Sequence, residues 1–525
     1  MMQREALPAL LALTIIAVLV AGAFVALAAG AVGDGEALAA LGQGYIWRAA
    51  RFTLVQAVIS TALSVGLAIP VARAIARRPA FPGRRLLILL LTVPLALPSL
   101  VAVFGIVTVW GRAGWLASLT GIAPPLYGLA GILIAHVFFN LPFAVLMLTA
   151  RLESIPAETW RLAGQLGFGP AAVWRLIEWP AIRAGLPGAA AVILLICVTS
   201  FTVILTLGGG PWATTLEVAI YQALRFDFDP PRAVLLALLQ MALCLALMAG
   251  LRATGAPMAP MVGVGRARGW QPDVRGNLGD GLLMIAVGLF VGLPILATVA
   301  SALANLAAVS SEAGTIGRAV LTSLAIAAAA ASLSVGAAWS LVIAARGQDW
   351  TGALARRVAG NGAVLLVAPP FVIGAGWFLL LNRAGLAFAL APLAIIAINA
   401  LMSLPFALRI LMAAEEALGA DLNRLCANLG LSGWTRFRLI DLPRHAHAFA
   451  FAAALSAALS LGDLGIAALF GSERLLTLPL LLQQRMGSYR QADAAALAGL
   501  LAALCLLIFA AAGHAARRRT EADAP

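Results

Sequence analysis

The sequence predicts an all-α polytopic membrane protein, with about twelve transmembrane helices in two parallel six-helix repeats. Three observations predict it. The first is composition. Of 525 residues, 62% are hydrophobic and 11% charged, and the mean hydropathy is +0.99; a soluble domain carries about 25% charge. The second is length. Charge-free runs matching the roughly 20 residues that cross hydrocarbon recur along the whole chain. The third is a duplication. Arg161-Leu-Ala-Gly-Gln-Leu-Gly167 and Arg175-Leu-Ile-Glu-Trp-Pro180 return as Arg424-Leu-Cys-Ala-Asn-Leu-Gly430 and Arg438-Leu-Ile-Asp-Leu-Pro443. Every position is shifted by 263 (161 to 424, 167 to 430, 180 to 443). Asn140-Leu-Pro-Phe-Ala144 falls on Ser403-Leu-Pro-Phe-Ala407 at the same offset. The shift is half the chain, so residues 1–252 and 280–525 are expected to be two halves joined by a linker, 253–279.

The elements follow in order. Residues 6–33 form span 1, too long for the apolar region of a signal peptide and therefore a retained span. Span 2 is 52–72. A basic loop with no acid follows: Arg73, Arg77, Arg78, Arg84 and Arg85. Span 3, 86–111, contains Pro94 and Pro98, which should kink or break it. A break at membrane depth survives only against protein or a water-filled path. Residues 113–125 form an outer connection, with Trp115 and Tyr127 near the interface. Span 4 is 126–150 and span 5 is 186–207, ending at Gly208-Gly-Gly210. After a partly apolar connection, 211–231, comes span 6 at 233–251. The second half places spans at 281–304, 319–345, 358–381, 386–413, 446–470 and 494–516.

Charge placement sets the orientation. With the N-terminus inside, 24 of the 35 arginines fall in inner segments and ten in outer ones, with Arg409 inside a span. By the positive-inside rule, both termini and both repeated loops, 151–183 and 414–444, are expected in the cytoplasm. The net charge of +13 does not indicate nucleic acid, because the arginines sit in short loops between spans. Cys197, Cys244, Cys426 and Cys505 show neither paired nor metal-binding spacing, and no cluster of His, Asp or Glu has catalytic or metal-ligating character. His136 is expected to be a hydrogen-bonded packing residue, and His445 and His447 to be interfacial. A phosphate-binding P-loop needs a lysine. All 35 basic residues are Arg, so P-loop hydrolysis of ATP by this chain is excluded.

The repeated loops carry more than a solvated connector needs. Each should be a short polar helix, a Gly stop, then a second short helix ending at Pro. Pro156 and Glu158 suit a helix start, and Gly167 suits a left-handed stop. Asp421 and Gly430 take those parts in the second loop. Two such knobs on a pseudo-twofold body fit a symmetric dimer below the membrane.

These residues resemble the EAA loop of ABC importer permeases, Glu-Ala-Ala-x-x-x-Gly, nine residues, Ile-x-Leu-Pro. Gly167 and Gly430 take the Gly, Ile177 and Ile440 the Ile, and Pro180 and Pro443 the Pro. Arg161 and Arg424 stand at the Glu, and Leu162 and Leu425 at the first Ala. The resemblance implies the type I importer permease fold and an ATPase-coupling role for these ten residues. It implies two copies of a cytoplasmic ATPase subunit, which would hold ATP and Mg, and a periplasmic binding protein. It also implies a bacterial inner-membrane location, no cofactor on this chain and no enzymatic activity. Fused halves occur in the thiamine and ferric-iron importers. Leu100-Val-Ala-Val-Phe-Gly-Ile106, His136-Val-Phe-Phe-Asn-Leu-Pro142 and Leu207-Gly-Gly-Gly-Pro211 are similar to the permeases for thiamine and its pyrophosphate in Gram-negative bacteria.

One span carries an acid, Asp463, whose repeat partner is Ser200 (463 against 200, the same offset of 263). An acid at that depth is expensive and marks a functional site by default. It fits the path of a cation, thiamine or ferric ion. It equally fits a place near the outer water boundary, or a hydrogen bond between helices. A secondary transporter of the major facilitator type would also have twelve spans. It would place charges inside spans and have no repeated docking loop. A membrane-embedded enzyme would need a catalytic cluster.

Overall fold

A computed structural model describes residues 2–33, 42, 44–78, 80–253, 278–308, 312–346, 352–356, 369–418 and 420–522. The linker 253–279, the start of the expected span at 358–381, the Asp421 side chain and the last tail residues fall wholly or largely outside them.

The chain begins with α1 (Met2–Gly33), α2 (Gly44–Arg77), α3 (Arg84–Ala96), α4 (Ser99–Trp110), α5 (Trp115–Thr120) and α6 (Leu129–Glu153). The first repeated loop supplies α7 (Ala157–Gln165) and α8 (Pro170–Val173), then a π-helical turn, Trp174–Glu178. Next come α9 (Trp179–Val198), α10 (Thr202–Leu207), α11 (Leu216–Arg225), α12 (Pro230–Ala253), α13 (Leu278–Ala304), α14 (Ala313–Ala345), α15 (Pro370–Arg383) and α16 (Ala391–Leu418). The second loop gives α17 (Ala420–Asn428), α18 (Gly433–Arg436), a second π-turn, Phe437–Asp441, and α19 (Leu442–Arg444). The chain closes with α20 (Ala446–Leu461), α21 (Gly465–Phe470), α22 (Leu478–Gly487) and α23 (Gln491–Ala522).

Among the described residues, ten helices are long and apolar enough to cross a membrane, and α20 is a shorter apolar helix. Pro98 breaks the third span as expected: α3 ends at Ala96 and α4 starts at Ser99. Pro94 stays inside α3.

The two spans expected at 186–207 and 446–470 are each interrupted. α9 stops at Val198 and α10 starts at Thr202; α20 stops at Leu461 and α21 starts at Gly465. Hydropathy does not register these breaks, because apolar residues flank both. A polar residue sits in each. Asp463, one residue ahead of the Leu464 N-cap, accepts hydrogen bonds from the Gly465 and Ile466 N–H groups at 3.0 and 3.4 Å, so it satisfies two of the N–H groups that a helix start leaves unpaired. The Ser200 hydroxyl lies 2.9 Å from His136 Nε2.

The chain forms two compact units. One comprises Gly44–Val218 and Ala242–Ala300. In it α2, α6 and α9 pack together with α3 against α6, around fully buried Leu100, Ile106, Ile132, Phe138, Leu148 and Ile182. α13 lies on α4, where the Trp110 and Phe290 rings meet at 5.5 Å, tilted by 35°. The other comprises Met1–Gln43, Ala219–Met241 and Ser301–Pro525. In it α14, α16, α20 and α23 form the centre and α1 packs on α15. The Trp377 indole N–H donates to the Leu19 carbonyl at 2.8 Å. The units therefore differ in make-up from the sequence halves: α1 packs with helices of the second half and α13 with helices of the first.

Candidate functional site

The two repeated loops fold alike, register for register. Pro156 caps α7, with Glu158 in its first turn. Gly167 then adopts φ 65° and Gly430 φ 67°, the left-handed stop that the sequence called for. A Cβ at either position meets nothing within 4 Å, so only the backbone conformation demands glycine. A Gly167→Ala variant is expected to lose about 1 kcal/mol from left-handed strain. Limited proteolysis of the loop checks this; cleavage no faster than in the parent would contradict it.

The expectation of a second short helix ending at Pro does not hold. α8 runs through the π-turn into α9, with Pro180 in the first turn of α9. Pro443 sits in the first turn of α19 in the same way. Proline has no N–H and crowds the carbonyl four residues back, but a first turn needs neither. The π-turn absorbs the misfit: the Trp179 N–H bonds the Trp174 carbonyl, and the Leu442 N–H bonds the Phe437 carbonyl, five residues back in both cases.

A small core holds the first loop closed. Trp160, Ala163, Val173 and Ile177 are buried, with Ile155 and Phe168 packed against them. Burying side chains like Trp160 or Ile177 contributes about 2 kcal/mol each. Ile177 is thus part of the loop's own core, and Ile440 is half-buried. Arg161, Leu162, Pro180, Arg424 and Leu425 are exposed, while Pro443 is half-buried. Three leucines in each loop, Leu162, Leu166 and Leu176, and Leu425, Leu429 and Leu439, are all more than half exposed. They occupy equivalent positions (162 to 425, 166 to 429, 176 to 439). Each loop therefore exposes leucines at the same three positions.

Beneath each loop lies an acid that sequence reasoning missed. Glu178 is 3% exposed and Asp441 2%. Arg73 and Arg77 of α2 reach Glu178 at 2.7 and 3.0 Å. Arg346, at the end of α14, reaches Asp441 at 3.0 Å and Glu415 of α16 at 2.7 Å. Burial pulls the Arg346 guanidinium down, but its contacts with Glu415 and Asp441 outweigh this and raise it above its ordinary value. Each cluster also seats a guanidinium on an aromatic face, Arg73 on Trp174 at 3.9 Å and Arg346 on Trp339 at 5.1 Å. His445 is not interfacial: it is 2% exposed, with Nε2 3.1 Å from Glu415. The available signal was the basic loop at 73–85, which has no acid of its own. Arg84 likewise pairs with Glu153.

The span breaks are the second candidate. His136 and Asn399 are repeat equivalents (136 to 399), as are Ser200 and Asp463, and each of the four positions carries a polar side chain. His136 is held between Ser60 and Ser200, at 2.9 Å to each, a hydrogen-bonded packing residue as expected. Asn399 donates to the Ser460 hydroxyl at 2.9 Å. Asp463 Oδ2 has no hydrogen-bond partner. Glu217, which the sequence reading passed over, is 1% exposed with Oε1 unpartnered. The four cysteines are buried and none is in a disulfide. Among the described residues, no three His, Cys, Asp or Glu could share a metal ion.

A helical membrane body with broken spans and a duplicated apolar-faced surface loop is the make-up of a transport subunit rather than an enzyme. Residues 336–521 match the family described as the inner-membrane component of binding-protein-dependent transport systems. The thiamine transport system permease protein ThiP of Brucella abortus (strain 2308) is 48% identical over 520 residues, covering 98% of this chain and 95% of the relative. The protein of that name from Escherichia coli (strain K12) is 40% identical over 533 residues, covering 98% of each. The sulfate transport system permease protein CysW of Synechococcus elongatus is 32% identical over 146 residues, covering 27% of this chain and half of the relative. The chain belongs to the family of thiamine transport system permease proteins.

Proposed function

We propose that this chain is the membrane-spanning subunit of an ATP-driven importer that takes thiamine, and its phosphate esters, from a periplasmic binding protein into the cytoplasm by alternating access. The observation that carries the reading is the pair of loops with one frame and one set of exposed leucines. Two equivalent knobs match two copies of a cytoplasmic ATPase, one on each loop. ATP and Mg belong to that partner. The arginine-rich inner segments support an inner-membrane location with both termini cytoplasmic. The names of the full-length relatives favour thiamine over ferric ion.

In proteoliposomes holding the chain, its ATPase and its binding protein, radiolabelled thiamine should enter only with ATP. Entry without ATP, or collapse with an uncoupler while ATP persists, would overturn the proposal.

Asp463 is the proposed contact for the cationic thiazolium. One carboxylate oxygen is spent on the start of α21, leaving the other for a cation. An Asp463→Asn variant keeps the oxygen that accepts those bonds. It should assemble normally and lose about tenfold in uptake, the size of one charge-assisted contact of ~1.5 kcal/mol. Undiminished uptake would remove Asp463 from the path.

A further inference from the structure

We infer that Glu178 and Asp441 are the ties through which each loop moves the membrane helices of its own unit. The inference rests on the proposed docking of an ATPase on the loops. Both acids close a π-turn, at the same register (178 to 441). Extra-residue turns of this kind concentrate at functional sites. Each acid leaves the loop to grip a cation at the end of a long helix: Glu178 grips Arg73 and Arg77 near the C-terminus of α2, and Asp441 grips Arg346 at the C-terminus of α14.

The cations do not occupy equivalent positions. The positions matching Arg73 and Arg77 are Gly336 and Ser340. The second unit uses a residue further along and adds Glu415 and Arg436 to the cluster. What recurs is the tie, not the residues on the helix side. A tie that served only to neutralise a buried acid could end on the loop itself. Asp441 also meets Arg436 of its own loop at 3.4 Å, but both acids reach the second helix of each half, in a geometry of two or more charge-assisted bonds. Such bonds are short and directional, so they resist pulling and pushing alike. Glu178 and Asp441 are positioning residues. They touch neither cargo nor ATP, and they turn a displacement of the loop into a displacement of α2 or α14.

The test uses the full complex with ATPase and binding protein in proteoliposomes, measuring radiolabelled thiamine uptake and ATP hydrolysis together. Glu178→Gln and Asp441→Asn should each lower uptake per ATP by about tenfold, within the range for residues that carry coupling between sites. ATPase co-purification should not change. Arg73→Gln with Arg77→Gln should reproduce Glu178→Gln, and the triple variant should be no worse, because groups acting as one unit are non-additive. Glu178→Asp should recover part of the loss. An unchanged uptake-to-ATP ratio, or multiplying losses in the triple variant, would overturn the inference. Loss of ATPase binding in Glu178→Gln would also overturn it, making Glu178 a docking residue while leaving the importer reading intact. A parent complex that moves thiamine without ATP would instead overturn the importer reading.

A second measurement leaves the tie unaltered. Spin labels at Ala171 in the first loop and at Ala80, just past α2, should keep one separation with and without ATP. A separation that changes when ATP binds means that loop and helix move independently, which rules the tie out.

Discussion

Leu162→Asp combined with Leu425→Asp should abolish ATP-driven uptake, to less than about one-hundredth of the parent rate. The two leucines stand at equivalent places on the two loops, and each is more than half exposed. A charge there leaves the loop's own fold alone, since the core of Trp160, Ala163, Val173 and Ile177 lies on the other face. An apolar anchor at the centre of a protein interface is worth about 2 kcal/mol or more, roughly thirtyfold in affinity. Either single variant leaves one loop intact and keeps the ATPase tethered, so the double variant should lose far more than either single one. Co-purification of the ATPase with each variant, beside uptake, checks this. A double variant that retains its ATPase would show that the docking face lies elsewhere.

Gly105→Leu should cost at least about 3 kcal/mol, at or beyond the upper end of the usual range for overpacking. Gly105 sits where α4 crosses α13. A Cβ there would stand 2.3 Å from the Pro294 carbonyl oxygen and 2.5 Å from the Thr298 hydroxyl. That hydroxyl already donates to the same carbonyl at 2.9 Å. The neighbour is backbone, fixed within a helix, so relief requires the two helices to separate. Gly66→Leu is the control, because a Cβ on that residue of α2 meets nothing within 4 Å. In detergent, Gly105→Leu should unfold at a clearly lower temperature than the parent, and Gly66→Leu should stay near it. Equal melting of both variants would mean that the α4–α13 crossing is not close.

Much of the candidate site could be read from residues alone. The Gly stops, the helix starts and the register of the duplicated loop are short-range features. Each depends on a few neighbouring side chains and the backbone angles they permit. Asp463 was also legible, because an acid in an apolar run stands out whatever surrounds it. What the acid does was not. Its hydrogen bonds to the first N–H groups of α21 arise only once the helix has broken. Glu217 was passed over because it sits in a connection, where an acid is ordinarily solvated. Burial by neighbouring elements is what makes it unusual.

By itself, the sequence determined that this chain is a helical membrane body built twice, with two matching loops and a largely uncharged interior. Those properties follow from hydropathy summed over about 20 residues and from a repeat visible letter by letter. Only the tertiary structure decided where the spans expected at 186–207 and 446–470 break, which helices make up each compact unit, and which guanidinium answers which acid. Arg73 and Glu178 are 105 residues apart in the chain, and Arg346 and Asp441 are 95 apart. Charge placement in a sequence shows that the acids and cations need partners. Helix packing chooses the partners, because an ion pair forms between the groups brought within a few ångströms, whatever their separation along the chain.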